Sequence, residues 1–144
     1  LNPYLLTLQS FSGQIDLARG RGEAALDAFD LGLALNPQGR ARGVLLHFRC
    51  RALLLLGRPA EAAESCERGM AFGADWTDYM LLAAAYALAG DPQRAAQARA
   101  ELMRQQPAFS IRWHASLPGR GASAGPTPLD EVLYAGLRKA GVAE

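Results

Sequence analysis

A chain of 144 residues is long enough to bury one continuous core, and we expect a single domain. Half of its residues are apolar and a fifth are charged, a balance that excludes an intrinsically disordered chain. The formal net charge of +1 gives no electrostatic footprint for nucleic acid or an acidic membrane surface, so we expect neither as a partner. No apolar run approaches the ~20 residues that a membrane span needs.

One spacing recurs along the chain. Three glycines each end an apolar stretch, and an alanine follows each of them five residues later: Gly20, Gly57 and Gly90, with Ala25, Ala62 and Ala95. The Leu-Asn-Pro of residues 1–3 returns 34 residues later at residues 35–37. A period of about 34 residues built from two helices is typical of a helical solenoid. We therefore interpret residues 1–3 as the tail of a truncated upstream repeat, inside a longer protein.

Apolar periodicity, together with glycine and proline signals, predicts three helix pairs. Their approximate ranges are 4–19 with 23–35, 40–56 with 59–72, and 75–89 with 92–105. The last pair has the clearest helix start, because Asp91 supplies a cap acceptor and Pro92 a first-turn proline.

Residues 108–126 follow a different pattern, with a short apolar segment and then a loop rich in glycine and proline. A capping helix is expected over residues 127–144, since Thr127 and Pro128 form a helix start and Gly141 a stop. Its apolar face, together with Phe109, Ile111 and Trp113, should fold back on the third repeat and cover its exposed face, with residues 119–125 as a mobile bridge. That exposed face is expected to consist of Ala95, Ala98 and Leu102.

Residues 1–107 resemble the tetratricopeptide repeat (TPR) family, in which a small residue lies where the helices of a pair touch. Here those places hold Gly13, Cys50 and Ala83 in the first helices and Ala25, Ala62 and Ala95 in the second. The larger position between them holds Leu53 and Tyr86, whereas Asp16 departs from the pattern. The resemblance implies an all-α fold, a right-handed solenoid of helical hairpins with a C-terminal capping helix, and a function in protein–protein interaction.

The tail is similar to the C-terminal end of many bacterial multidomain proteins. Phe109-Ser110, Trp113, residues 135–141 and Glu144 carry this likeness. In those proteins TPRs follow a class III adenylate/guanylate cyclase domain or a winged-helix DNA-binding domain. The likeness implies the C-terminal TPR module of a cytoplasmic bacterial signalling or regulatory protein. A free-standing TPR adaptor that binds peptides, with no effector domain, stays open as the alternative.

Residue patterns for catalysis or cofactor binding are not found, so we predict no enzyme, no cofactor and no metal site. The stretch from Gly20 to Ala25 matches a dinucleotide fingerprint superficially, but it follows a helix rather than a strand. His47 and His114 have no cysteine or carboxylate at metal-ligand spacing, and each is interpreted as a surface or half-buried helix residue.

The two cysteines, Cys50 and Cys66, fall on helix faces that carry small residues in the other repeats. Since free cysteine packs readily in cores, we expect buried free thiols rather than a disulfide.

The expected partner is another protein or a peptide segment, bound on the inner wall that the first helix of each pair lines. Counting back from the turn glycines gives Ser10, Gln14, His47, Arg51, Met80 and Ala84 as candidate contacts. His47 and Arg51 share one face at i, i+4 and could contact an acidic or polar segment; a solvated helix surface stays open as the alternative. Homo-oligomers are also expected through exposed solenoid ends, first of all the face of Tyr4, Leu5 and Leu8.

Overall fold

The computed structural model describes residues 3–119 and 125–144, and all regular structure within these ranges is α-helical. The predicted all-α class is therefore confirmed. The described residues form eight helices: α1 (Pro3–Ala18), α2 (Gly22–Ala34), α3 (Gly39–Leu55), α4 (Pro59–Met70), α5 (Trp76–Leu88), α6 (Pro92–Gln105), α7 (Ile111–Ala115) and α8 (Pro128–Lys139). Each helix of the three predicted pairs lies within a few residues of its predicted bounds.

The chain packs as consecutive helix pairs. α1 packs on α2, α3 on α4 and α5 on α6, and the pairs are joined by contacts of α2 with α3 and of α4 with α5. Gly20, Gly57 and Gly90 end the first helix of each pair with φ of +72°, +70° and +82°. Only glycine adopts this left-handed conformation readily, which explains why it recurs at the same place.

Small residues lie where paired helices touch, as the sequence predicts. A methyl group on Gly13 of α1 would come within 2.4 Å of the Phe29 ring of α2. Ala25, Ala62 and Ala95 are all buried in one core that runs through the three pairs. The side chains at these points fill the space between backbones without forcing them apart.

The prediction of free thiols is wrong. Cys50 of α3 and Cys66 of α4 are joined by a disulfide, and their Cα atoms lie 5.3 Å apart. Their expected burial is confirmed, because both side chains lie in the core. Cys50 and Cys66 occupy the small-residue positions of α3 and α4, and these positions face each other where the two helices touch. Their sequence separation of 16 does not by itself show that the two positions meet.

The capping helix forms and packs on the third pair as expected, but through α5 rather than through the Ala95, Ala98 and Leu102 face of α6. α8 packs on α5 and α3, so it lies on first helices rather than on the end of the last pair. From α6, Arg99 Nη1 donates a hydrogen bond of 2.9 Å to the carbonyl of Gly141, in the segment that follows α8. Leu133 and Leu137 give α8 an apolar face, which packs into the same core as the buried residues of α3 and α5.

Two sequence interpretations fall outside the described residues. Residues 1 and 2, part of the expected truncated repeat, and residues 120–124, most of the expected bridge, are among the undescribed positions. Every helix within the described ranges is too short or too polar to cross a membrane.

Replacing Ala62 with leucine tests the packing of the middle pair. Because Ala62 is fully buried at a helix contact, overpacking should lower the free energy of unfolding by about 1–3 kcal/mol, measured by urea denaturation. Ala60→Leu on the exposed side of the same helix is the control and should change it by less than about 0.5 kcal/mol. Equal stabilities of the two variants would contradict the placement of Ala62.

Candidate partner-binding surface

The wall of first helices that the sequence predicts as the binding surface is partly covered by the chain's own tail. α8 begins beside the α1–α2 turn, where a methyl group on Gly20 would lie 3.0 Å from Pro128 Cγ. It reaches α5 at Gly136, where a methyl group would lie 2.8 Å from the Cβ and 2.9 Å from the Cα of Ala84. α8 also packs on α3, so it lies across the wall that the sequence predicted as the binding surface.

This arrangement corrects the candidate surface at its α5 end. Met80 and Ala84 are only 1% and 0% exposed, so neither can contact a partner in this conformation. At Ala84 the physical reason is direct, because Gly136 of α8 occupies the space above it. The periodicity that placed both residues on the inner face could not show that a later helix covers that face.

The α1 candidates lie at the edge of the covered region. Gln14 lines a cleft of about 380 Å³ together with Arg51 and the start of α8, including Thr127 and Leu129. Gln14 Nε2 also donates a hydrogen bond of 3.2 Å to Ser10 Oγ. Ser10 lies in a neighbouring groove of about 370 Å³ between α1 and α3.

His47 and Arg51 do lie together, and they join a polar network that sequence analysis missed. His47 Nδ1 lies 2.7 Å from Asp78 Oδ1, while Arg51 Nε donates a hydrogen bond of 3.1 Å to His47 Nε2. Since Nε2 accepts, Nδ1 carries the proton and donates it to Asp78. The guanidinium of Arg51 also lies over the Phe48 ring, 5.7 Å from its centroid. The network ties α3 to α5 and holds the His47 ring and the Arg51 guanidinium in fixed positions.

Asp78 is itself part of a helix cap. Its Oδ2 accepts the backbone N–H of Asp75 at 3.0 Å, and the Asp75 carboxylate accepts the backbone N–H of Thr77 at 2.8 Å, forming the capping box of α5. Partial burial raises the pKa of Asp75, but hydrogen bonds from Thr77 and Asp78 and the charge of His47 outweigh it, so the net pKa is lowered below 3.8. A carboxylate that is stabilised in its charged form fixes the start of α5 beside His47.

An open cleft of about 470 Å³ lies next to this network. Val44 of α3 and Phe72, which follows α4, line it as exposed apolar side chains, and Arg40 is an exposed cation on its wall. His47 and Asp78 form its polar part. The cleft therefore offers apolar surface, a cation and a fixed polar pair within one concave site, which is the composition of a ligand-binding site in proteins.

His114 lies elsewhere and is buried, contrary to its interpretation as a surface or half-buried residue. Its Nδ1 is 2.9 Å from the hydroxyl of Tyr134, which joins α7 to α8. The ring also stacks edge-on against Trp76, with centroids 6.3 Å apart. These contacts hold the tail in place and leave His114 away from the cleft.

Among the residues that the structure describes, no three histidine, cysteine or acidic side chains come together as metal ligands would. Comparison with known proteins finds no family model and no curated protein that matches the chain. The site must therefore be interpreted from its own geometry.

Gly136→Ala tests the close approach of α8 to α5. Helix propensity alone would stabilise this variant by about 1 kcal/mol, but the added methyl group would meet the Ala84 backbone, and we expect a net loss of about 1–3 kcal/mol in the free energy of unfolding. The control is Ala135→Gly at the neighbouring exposed position. It should lower the free energy of unfolding by about 1 kcal/mol, the difference in helix propensity between alanine and glycine. A Gly136→Ala variant more stable than wild type would contradict this contact.

The lowered pKa of Asp75 predicts a pH dependence of stability. A carboxylate with a depressed pKa contributes stability above its unfolded value of about 3.8 and loses it as the pH falls through its folded pKa. Urea denaturation should thus show wild type more stable than Asp75→Asn at pH 7, with the difference shrinking towards pH 2.5. Asp27→Asn, an exposed carboxylate on α2, is the control for loss of a charge. A difference that is constant with pH would refute the role assigned to Asp75.

Proposed function

We propose that the chain is a non-catalytic scaffold for protein–protein interaction. Three helix pairs in register, with small residues at each crossing, support a TPR-like right-handed solenoid of helical hairpins. The first two pairs expose part of their first helices on the predicted inner side, the side on which such scaffolds present a binding surface.

The observation that carries the proposal is the cleft beside Phe72, which stays open while α8 covers the α5 part of the inner wall. Val44 and Phe72 can receive an apolar side chain, and Arg40 offers a cation to a nearby carboxylate. Because His47 and the Asp75 N–H already hold the Asp78 carboxylate in place, its remaining lone pairs can accept from a peptide N–H without a large rearrangement. The partner that fits is a peptide segment with an apolar anchor and an acidic neighbour.

The context we propose is the C-terminal TPR module of a larger cytoplasmic bacterial signalling or regulatory protein. The resemblance of the tail to cyclase-linked and winged-helix-linked TPR regions supports this context. The alternative is a free-standing adaptor without an effector domain. Sequencing the gene upstream of residue 1 distinguishes them, since an effector domain there supports the module and further repeats alone support the adaptor.

Selection from a displayed library of random peptides tests the cleft as a binding site. We expect selected peptides to share an apolar residue near an acidic one and to bind the chain at least tenfold more weakly after Phe72→Glu, as measured by fluorescence anisotropy. That substitution places a carboxylate where the apolar anchor should lie.

The control is Leu31→Glu, which introduces the same charge at an exposed position of α2 outside the cleft and should leave affinity unchanged. If no peptide is enriched, or if Phe72→Glu binds the selected peptides as wild type does, the proposed function of the cleft is wrong.

A further inference from the structure

One face of α1 carries large apolar side chains that stay at least half exposed in the described structure. Four of them, which we name the α1 seam, are Tyr4, Leu8, Phe11 and Ile15, with exposures of 77%, 62%, 61% and 50%. The opposite side of the helix carries Gly13 and Leu17, which are buried against the rest of the protein. α1 therefore has two apolar faces, one buried against the other helices and one largely exposed.

The α1 seam has the spacing of a helix–helix interface. Its residues follow one another after four, three and four positions, the alternation of the core positions in a heptad repeat. At 3.6 residues per turn, all four fall within about 60° of the helix circumference. Such a stripe is narrow enough to pack along a single partner helix.

The same spacing is symmetric when the helix is reversed. In an antiparallel pair of α1 helices, Tyr4 of one copy faces Ile15 of the other, and Leu8 faces Phe11. The two helices are then related by a twofold axis that passes between them at the level of residues 9 and 10. This axis makes the contacts at one end of the seam identical to those at the other end. A surface that complements itself in this way is what a twofold homodimer requires.

Charge does not oppose this contact. The only charged side chain in α1 is Asp16, and Arg21 Nε donates to its carboxylate at 2.7 Å within the same chain. Two copies of α1 can therefore approach without repulsion between like charges.

The exposed area is close to what a specific dimer needs. Each seam side chain exposes on the order of 100 Å², so one copy offers about 400 Å² of apolar surface. Flanking residues such as Leu5 and Ser12 are also exposed and raise this to roughly 600 Å² per copy. Two copies would bury about 1,200 Å², the lower end for specific interfaces.

We propose that the α1 seam is a self-association surface through which two copies of this chain form an antiparallel homodimer. This interface is separate from the cleft beside Phe72 and does not depend on the function proposed for it. A moderate affinity follows from the small area, so association should vary with concentration in the micromolar range.

Analytical ultracentrifugation between about 5 and 500 µM tests the dimer. Wild type should shift from the mass of one chain towards that of two, whereas Leu8→Glu with Phe11→Glu should keep the mass of one chain throughout. Phe72→Glu, an equally disruptive charge placed in the cleft, is the matched control and should dimerise as wild type does. A wild type that stays a single chain at 500 µM, or a seam variant that still dimerises, would overturn the proposal.

A pair of double variants tests the antiparallel arrangement. Leu5 and Ser12 lie on one flank of the seam, and antiparallel docking brings each near the other position of the second copy. Leu5→Glu with Ser12→Lys should therefore dimerise at least tenfold more tightly than Leu5→Glu with Ser12→Glu, and the difference should shrink in high salt. Equal association of the two double variants would refute the antiparallel arrangement.

Discussion

The close approach of paired helices is the constraint on which the other features of this structure depend. Where α3 meets α4, a methyl group on Gly69 would lie 3.2 Å from the Gly43 carbonyl oxygen, so the two backbones almost touch. Where α1 meets α2, the Phe29 ring occupies the space that a side chain on Gly13 would need. Glycine, alanine or cysteine at these contacts sets the distance between the paired helices, and the first helices α3 and α5 form the face on which α8 lies.

The tail then determines which part of that face remains accessible. Leu133, Tyr134 and Leu137 would expose a large apolar surface if α8 were detached, and burial of each is worth roughly 1.5–3 kcal/mol. The hydrogen bond between His114 and Tyr134 and the one from the Ile111 N–H to the Ala143 carbonyl add polar ties to the same position. A segment held this firmly is part of the core, which is why we place partner binding in the open cleft and not beneath α8.

The helices were predictable because their signals are local. Gly20, Gly57 and Gly90 require a positive φ, while Asp75 and Thr127 accept backbone N–H groups at the starts of α5 and α8. The tertiary contacts were not predictable in the same way. Pairing of His47 with Asp78, 31 residues apart, depends on how far α3 is rotated relative to α5, and neither composition nor periodicity fixes that rotation. The covering of Ala84 by Gly136 depends in addition on the path of the chain between α7 and α8.

The disulfide between α3 and α4 has consequences for where the protein can work. Disulfides persist in oxidising compartments and are rare in the cytosol. An intact Cys50–Cys66 bond therefore favours an oxidising compartment, whereas the proposed cytoplasmic module implies that the two thiols are reduced. On reduction the two sulfur atoms must move apart to van der Waals distance, after which each free cysteine can pack as a small apolar side chain at the helix contact. The bond closes a loop within the α3–α4 pair. The contacts of α3 with α2 and with α5 are made by other side chains. The cleft and the α1 seam therefore depend on the packing of the helices, whether the cysteines are oxidised or reduced. The redox state of Cys50 and Cys66 changes the stability of the α3–α4 hairpin.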